Sequence, residues 1–218
     1  MIKAVIFDLD GVIADSMGLH FEAEKKTLLK YGVPASTEEL AAHTGNKIGV
    51  KFAALLKKHG AKANLSEVLK AHAAESYGHI KANVAPVRGI LELVKELHGK
   101  KLKLGVASGS PKVLVFHMLG KFHILKLFDS VLSADDVSNA KPDPEIFLKV
   151  AQKLGCKPSE CVVIEDAPNG IRAAKSAGMK CVAITTTHKK SELNGADKII
   201  SSFGELTAKD LKSFFSEK

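Results

Sequence analysis

Tryptophan is missing from this chain, arginine occurs only at Arg88 and Arg172, and cysteine occurs three times. Each scarcity removes a class of function. Cys156, Cys161 and Cys181 are odd in number and lack Cys-x-x-Cys spacing. That pattern suggests neither a disulfide framework nor a structural zinc site, and they read as buried reduced thiols. With 6% aromatic residues there is little material for a base-stacking platform. Two arginines supply few bidentate contacts to phosphate or guanine. Apolar runs are short as well. The first, Ala4 to Phe7, stops at Asp8, far too early for a signal peptide, and no segment nears the roughly 18 apolar residues of a membrane span. The reading is a cytoplasmic protein that engages neither nucleic acid nor membrane.

What is present is enough for a substantial core: 218 residues, 45% of them hydrophobic. The formal charge of +8 attracts anions without saying which. Buried parallel strands are expected at Lys3 to Phe7, Leu102 to Ala107, Ser130 to Leu132, Cys161 to Ile164 and Cys181 to Ile184, with a weaker sixth at Lys198 to Ile200. Helices over Pro144 to Leu154 and Asn169 to Ala177 alternate with the later strands and stop at Gly155 and Gly178. This alternation predicts an α/β fold, a doubly wound parallel sheet.

Between the first and second strands lies a long stretch with no convincing strand. Helices are expected at Leu19 to Tyr31, Lys47 to His59 and Ser66 to Ile80, broken at Gly32-Val33-Pro34 and Gly60. Gly89 to His98 already supplies the crossover between parallel strands. The predicted organisation is therefore a core of residues 1–17 and 85–218 with an inserted, small all-helical cap over 18–84, placed to serve as a lid.

The strand ends carry the chemistry. In "FDLDGV" the first strand runs into Asp8 and Asp10, and Gly11 marks a turn. Two crowded carboxylates raise a pKa or recruit a hard cation. An EF-hand loop is excluded, because its glycine stands sixth and a helix precedes it; a plain polar strand end with a turn stays open for this stretch alone. "VASGSPK" puts Ser108 at the second exit, with Ser110 and Pro111 as N-cap and first helical residue. "NAKPDPEIF" offers Lys141, with Asp143 as a cap before Pro144, and "VVIEDAPNG" ends in Glu165 and Asp166. Each alone fits capping. Together they form a kit for phosphoryl transfer through a carboxylate, in which one acid attacks phosphorus and its neighbour moves protons. Magnesium, a lysine and a hydroxyl would offset and bind the phosphoryl charge.

In order and interval, "DLDGV", "ASGS", "KPDP" and "EDAPNGI" resemble the motifs of the haloacid dehalogenase superfamily, in its phosphatase and β-phosphoglucomutase-like branch with a helical cap. The resemblance spans essentially the whole chain. It implies Asp8 as nucleophile and Asp10 as general acid/base and backbone-carbonyl ligand of Mg²⁺. It further implies Ser108, Gly109 and Lys141 as phosphate binders, and Asp166 as a metal ligand with Glu165 alongside. The carboxylate at Asp10 argues against the family's dehalogenases and cation-pumping ATPases.

The same resemblance separates two activities. β-Phosphoglucomutases carry a cap arginine that grips a second phosphate; here Lys47 or Ile48 stands in that place and neither arginine lies in the cap. Lys47 and Lys51, four apart, could stand in as point charges or form a solvated lysine face. His20 resembles a mutase histidine that couples substrate binding to cap closure, or it is an ordinary amphipathic position. The expected activity is hydrolysis of small phosphate monoesters, sugar or polyol phosphates, with a hexose phosphomutase as the alternative and a phosphometabolite- or polyanion-binding protein behind both. The expected partner is a small phosphorylated metabolite, and the expected state a monomer or weak homodimer.

Overall fold

Ala-Val-Ile-Phe has no polar side chain on either face, and it becomes β1 (Ala4–Phe7), fully buried at the middle of the sheet. The structure, a computed structural model, describes residues 2–43 and 48–213. From β1 the chain passes through the two-residue β2 (Ala14–Asp15) into α1 (Met17–Lys30), α2 (Thr37–Ala41), α3 (Ile48–Lys58) and α4 (Leu65–Asn83). It returns by β3 (Ala85–Pro86) and α5 (Ile90–Gly99). Strand and helix then alternate: β4 (Lys103–Ala107), α6 (Lys112–Lys121), β5 (Ser130–Leu132), α7 (Glu145–Lys153), β6 (Cys161–Glu165), α8 (Pro168–Ser176) and β7 (Lys180–Ile184). The last elements are β8 (Lys198–Ile200) and α9 (Ala208–Ser213).

Two compact units result, Met1–Asp15 with Ala85–Lys218, and Ser16–Val84. The first break falls two residues earlier than the sequence indicates. Ser16 is already the N-cap of α1, and its carbonyl accepts the His20 N–H at 2.9 Å. Among the described residues no helix is long and apolar enough to cross a membrane.

The first unit is a doubly wound α/β domain. Its six-stranded sheet has the order β5-β4-β1-β6-β7-β8, and every neighbouring pair is parallel. Phe7 pairs with Val106 on one side and with Ile164 on the other, so Asp8, Ala107 and Glu165 emerge at one level. The chain leaves β1 for β4 and β5 on one flank and jumps back to β6 on the other, which creates a crevice at the carboxyl ends of β1, β4 and β6. Beneath it, Phe147, Val150, Ile171 and Ala174 of α7 and α8 pack on Ile6 and Val163. The three cysteines are buried and unpaired, and burial pushes the Cys161 thiol up to about 12.

One expectation is corrected here. The stretch between the first and second long strands does contain a strand, since β3 pairs antiparallel with β2 through Ala14 with Pro86 and Asp15 with Ala85. Two residues carry no periodicity, and proline at an edge masks the rest.

Among its described residues the second unit has helices and no strand, with α1 lying along α4 and Glu75 accepting from Lys26 at 2.6 Å and Lys30 at 2.8 Å. Helix α2 has a capping box, Ser36 with Glu39. Leu28, Val33, Leu40, Phe52, Leu55 and Val68 form the unit's core. Inside it sits a charged pair: Lys51 donates to Glu24 at 2.6 Å, both are buried, and the ammonium lies 5.1 Å from the centre of the Phe21 ring.

Candidate active site

Asp8 is the first residue beyond β1, yet its N–H still bonds to the Ile164 carbonyl at 2.9 Å, so the backbone is clamped while the side chain reaches past the sheet. Next comes a tight turn. The Leu9 carbonyl accepts from Ile13 and Ala14, each at 2.8 Å, and Gly11 takes φ +79°. That conformation suits glycine, and space demands it too: a Cβ there would stand 1.9 Å from Asp166 Oδ2.

Lys141, at the exit of β5, organises the acids. Its ammonium donates to Asp8 Oδ1 and to Glu165 Oε1, each at 2.7 Å, and to the Ala107 carbonyl at 3.1 Å. All three protons are engaged. The Phe147 ring lies beneath at 4.8 Å from its centre. The second oxygen of Glu165 accepts the N–H groups of Asp166 at 2.9 Å and Ala167 at 3.0 Å, so this carboxylate also caps the turn into α8. It fits because residue 170 is glycine; a Cβ there would fall 1.7 Å from Glu165 Oε1.

Asp10 accepts the Ser110 hydroxyl on Oδ2 at 2.6 Å. Ser110 is therefore not the N-cap of α6, which starts at Lys112, one residue later than expected. Asp135 does that work, accepting the Lys112 N–H at 2.9 Å. Ser108 is fully buried, its N–H on the Leu132 carbonyl and its Oγ accepting the Ser110 N–H at 3.0 Å. Gly109 between them is exposed. Asp143 accepts the Glu145 N–H at 2.9 Å, while Pro144 is the cap position and α7 opens at Glu145.

Asp8, Glu165 and Asp166 each present an oxygen within 4.8 Å of the others, all three residues buried. Burial raises the Asp8 carboxyl to about 7; Lys141 pulls it down, and Glu165 and Asp10 push it up again. Burial also holds the Asp166 carboxyl well above its ordinary range, helped by Glu165 and Asp8. Lys141 is also shifted upward: burial disfavours its charge, but Asp8 and Glu165 outweigh that and keep it protonated. Asp8 and Glu165 thus share one ammonium while Asp166 has none of its own, so with all three acids ionised the oxygen donors would exceed that cation by two charges. A hard divalent cation fits that deficit.

A family model described as haloacid dehalogenase-like hydrolase matches residues 5–184. The chain belongs to that family. Among curated relatives, the validoxylamine A 7'-phosphate phosphatase of Streptomyces hygroscopicus subsp. limoneus is 33% identical over 94% of this chain and 96% of its own. The fructose-1-phosphate phosphatase YqaB of Escherichia coli is 31% identical over 83% and 95%. Among solved structures, the β-phosphoglucomutase of Clostridium difficile superposes with a TM-score of 0.86 at 28% identity, covering 100% of this chain and 98% of that one. The site's chemistry is that of a phosphoric monoester hydrolase: acid, base and ammonium converge at the carboxyl edge of a parallel sheet.

The remaining sequence candidates lie in the helical unit. His20 is half-buried on α1, close enough to Glu24 and His72 to influence both electrostatically. Lys47 lies outside the described residues. Lys51 belongs to no solvated face, because its ammonium is committed to Glu24. Sequence reasoning missed Ser110 as the partner of Asp10, and it missed the exit of β7. There Thr186 donates to the Gly11 carbonyl and His188 Nδ1 stands 3.1 Å from the Asp166 carbonyl. The available signal was position: Thr-Thr-Thr-His follows a buried strand, as the other site residues do.

Proposed function

We propose that this chain is a magnesium-dependent phosphatase that hydrolyses small phosphate monoesters, sugar or polyol phosphates, through an aspartyl-phosphate. The observation that carries the reading is the Lys141 ammonium bridging Asp8 and Glu165 while Asp10 stands two residues away on its own hydroxyl donor.

In the first half-reaction an Asp8 carboxylate oxygen bonds to phosphorus as the bond to the alcohol oxygen breaks, and Asp10 gives that oxygen its proton. In the second, water attacks the phosphorus, Asp10 takes the water's proton, the bond to Asp8 breaks, and inorganic phosphate leaves. Lys141 fixes the attacking carboxylate and offers charge to the phosphoryl oxygens, and Ser108 and Gly109 line the same strand exit as further donors. Magnesium bound by Asp8, the Asp10 backbone carbonyl and Asp166, with Glu165 alongside, would offset repulsion between the carboxylate and the phosphate. These core residues would recognise phosphate and leave the alcohol unread.

The names of the relatives, a validoxylamine A 7'-phosphate phosphatase and a fructose-1-phosphate phosphatase, support the substrate class. The likeness to a β-phosphoglucomutase supports a second reading, a hexose phosphomutase. Against it, the helical unit has no arginine for a second phosphate, and Lys51 is engaged with Glu24. The protein with Mg²⁺ should release phosphate from p-nitrophenyl phosphate, and Asp8→Asn should abolish the release; full activity in that variant would remove Asp8 as nucleophile. A bisphosphate-primed reaction with β-glucose 1-phosphate separates the two activities, release of inorganic phosphate and free glucose without an isomeric glucose phosphate meaning phosphatase.

A further inference from the structure

The loop after β7 carries three polar side chains that take no part in the mechanism above, and all three reach toward the acid-bearing turns. Thr186 Oγ1 donates to the Gly11 carbonyl. The Thr187 hydroxyl donates to the Asp166 carboxylate. His188 Nδ1 meets the Asp166 carbonyl at 3.1 Å. Thr187 Oγ1 and Asp166 Oδ2 also crowd the same face of Gly11: a Cβ there would stand 2.6 Å from the hydroxyl and 1.9 Å from the carboxylate. The turn after β1 and the turn after β6 are thus fastened to one loop.

The partners of the three clustered acids differ in kind. Asp8 and Glu165 each meet the Lys141 ammonium, whereas the Asp166 side chain is held by a neutral hydroxyl. An ammonium partner spends part of a carboxylate's charge. A hydroxyl fixes the rotation of the group and leaves its charge for a cation.

We propose that Thr187 is a positioning residue for the divalent cation, holding Asp166 in its ligating orientation without neutralising it, and that Thr186 steadies the Asp10–Gly11 turn through the Gly11 carbonyl. The proposal rests on the reading of Asp166 as a metal ligand. It assigns to this loop the outer layer that keeps ligands aligned in metal sites generally.

The test is Mg²⁺ binding by isothermal titration calorimetry to the full chain, beside Mg²⁺ activation of p-nitrophenyl phosphate hydrolysis. Thr187→Val, which keeps the shape and loses the hydroxyl, should weaken Mg²⁺ binding about 10-fold or more, and Thr187→Ser should bind within about threefold of the unmodified protein. At saturating Mg²⁺ the KM for the ester should stay unchanged in both. Unaltered Mg²⁺ affinity in Thr187→Val overturns the proposal. So does a serine variant as weak as the valine one, because the lost element would then be the methyl group's packing. Thr187→Ala carries the same expectation should valine prevent folding, and if both fail to fold the residue is structural and the proposal is overturned. An unmodified protein that binds Mg²⁺ but hydrolyses no phosphate ester removes the phosphatase reading and leaves the calorimetry to decide on Thr187.

Discussion

Ser110 donates its hydroxyl proton to Asp10 Oδ2 at 2.6 Å, joining residues 100 positions apart at the ends of two adjacent strands. On the proposed mechanism, the bond sets the carboxyl group that delivers a proton to the departing alcohol. Its value depends on how badly that alcohol needs the proton. Ser110→Ala should lower kcat on an alkyl phosphate such as a sugar phosphate by about 10-fold, and much less on p-nitrophenyl phosphate, whose phenolate leaves unaided. Equal losses on both substrates, measured at saturating substrate and Mg²⁺, would show that Ser110 acts on something other than proton delivery.

Lys141 offers the largest effect on stability. Removing it leaves Asp8 and Glu165 buried without their shared cation. Lys141→Met should cost about 3–5 kcal/mol in urea unfolding at pH 7 without added metal. Lys141→Arg should fail to restore activity, since a planar fork cannot place three protons on Asp8, Glu165 and the Ala107 carbonyl at once. Wild-type stability in the methionine variant would mean that the carboxylates had already been neutralised by protonation.

Gly170→Ala tests the seat of Glu165. The added methyl would overlap Glu165 Oε1, and this carboxylate cannot retreat without releasing Lys141 and the N–H groups of Asp166 and Ala167. A loss of roughly 1–3 kcal/mol in stability is expected from the broken hydrogen bonds, with turnover reduced at least as much as by Glu165→Ala. Full turnover would mean that the helix start shifts to make room.

In the helical unit, burial first and the charges of His20 and Lys51 next push the His72 ring down to about 4. An unfolded chain takes that proton near the ordinary value, so between about pH 6.5 and pH 4 the unfolded state binds more protons and stability falls as pH falls. Because the ring is partly exposed, the full loss is about 1–2 kcal/mol after allowance for solvent screening. Glu24 works against this trend: burial raises its carboxyl despite Lys51, so the folded state takes up that proton first on acidification. Comparing urea unfolding from pH 7 to 4 in the unmodified protein and His72→Gln isolates the ring. The variant should show a shallower loss, and parallel curves would refute the assignment.

The strands, their order of chemistry and the helical insertion were legible because a buried parallel strand is written as an unbroken apolar run and each run here stops at a polar residue. Asp8, Asp10, Ser108, Glu165 and Asp166 stood out for that reason, and Lys141 for its place in the proline-flanked stretch before the next helix. Ser110 did not, because a serine before proline reads locally as a helix cap, and nothing nearby reveals an aspartate a hundred residues away. Helix α2 announces itself only in the Ser36 and Glu39 capping box, too short a signal beside longer patterns. Lys51 could be placed on a helical face by its period; that the face turned inward onto Glu24 depended on a neighbouring helix.

The bonds that build the site span long stretches of chain: 133 residues from Asp8 to Lys141 and 175 from Gly11 to Thr186. Such contacts form only after the intervening chain has been ordered, and this is the slow part of folding. The helical unit, by contrast, is one contiguous segment with shorter spans, such as 45 residues from Lys30 to Glu75 and 27 from Glu24 to Lys51. During refolding, far-ultraviolet helicity should therefore return ahead of activity, and the aspartate acquires its companions only when β1, β4, β5, β6 and β7 are all in register. On the proposed mechanism, a copy with a frayed sheet leaves Asp8 without the Lys141 ammonium that fixes its carboxylate, so folding and the capacity for attack arrive together.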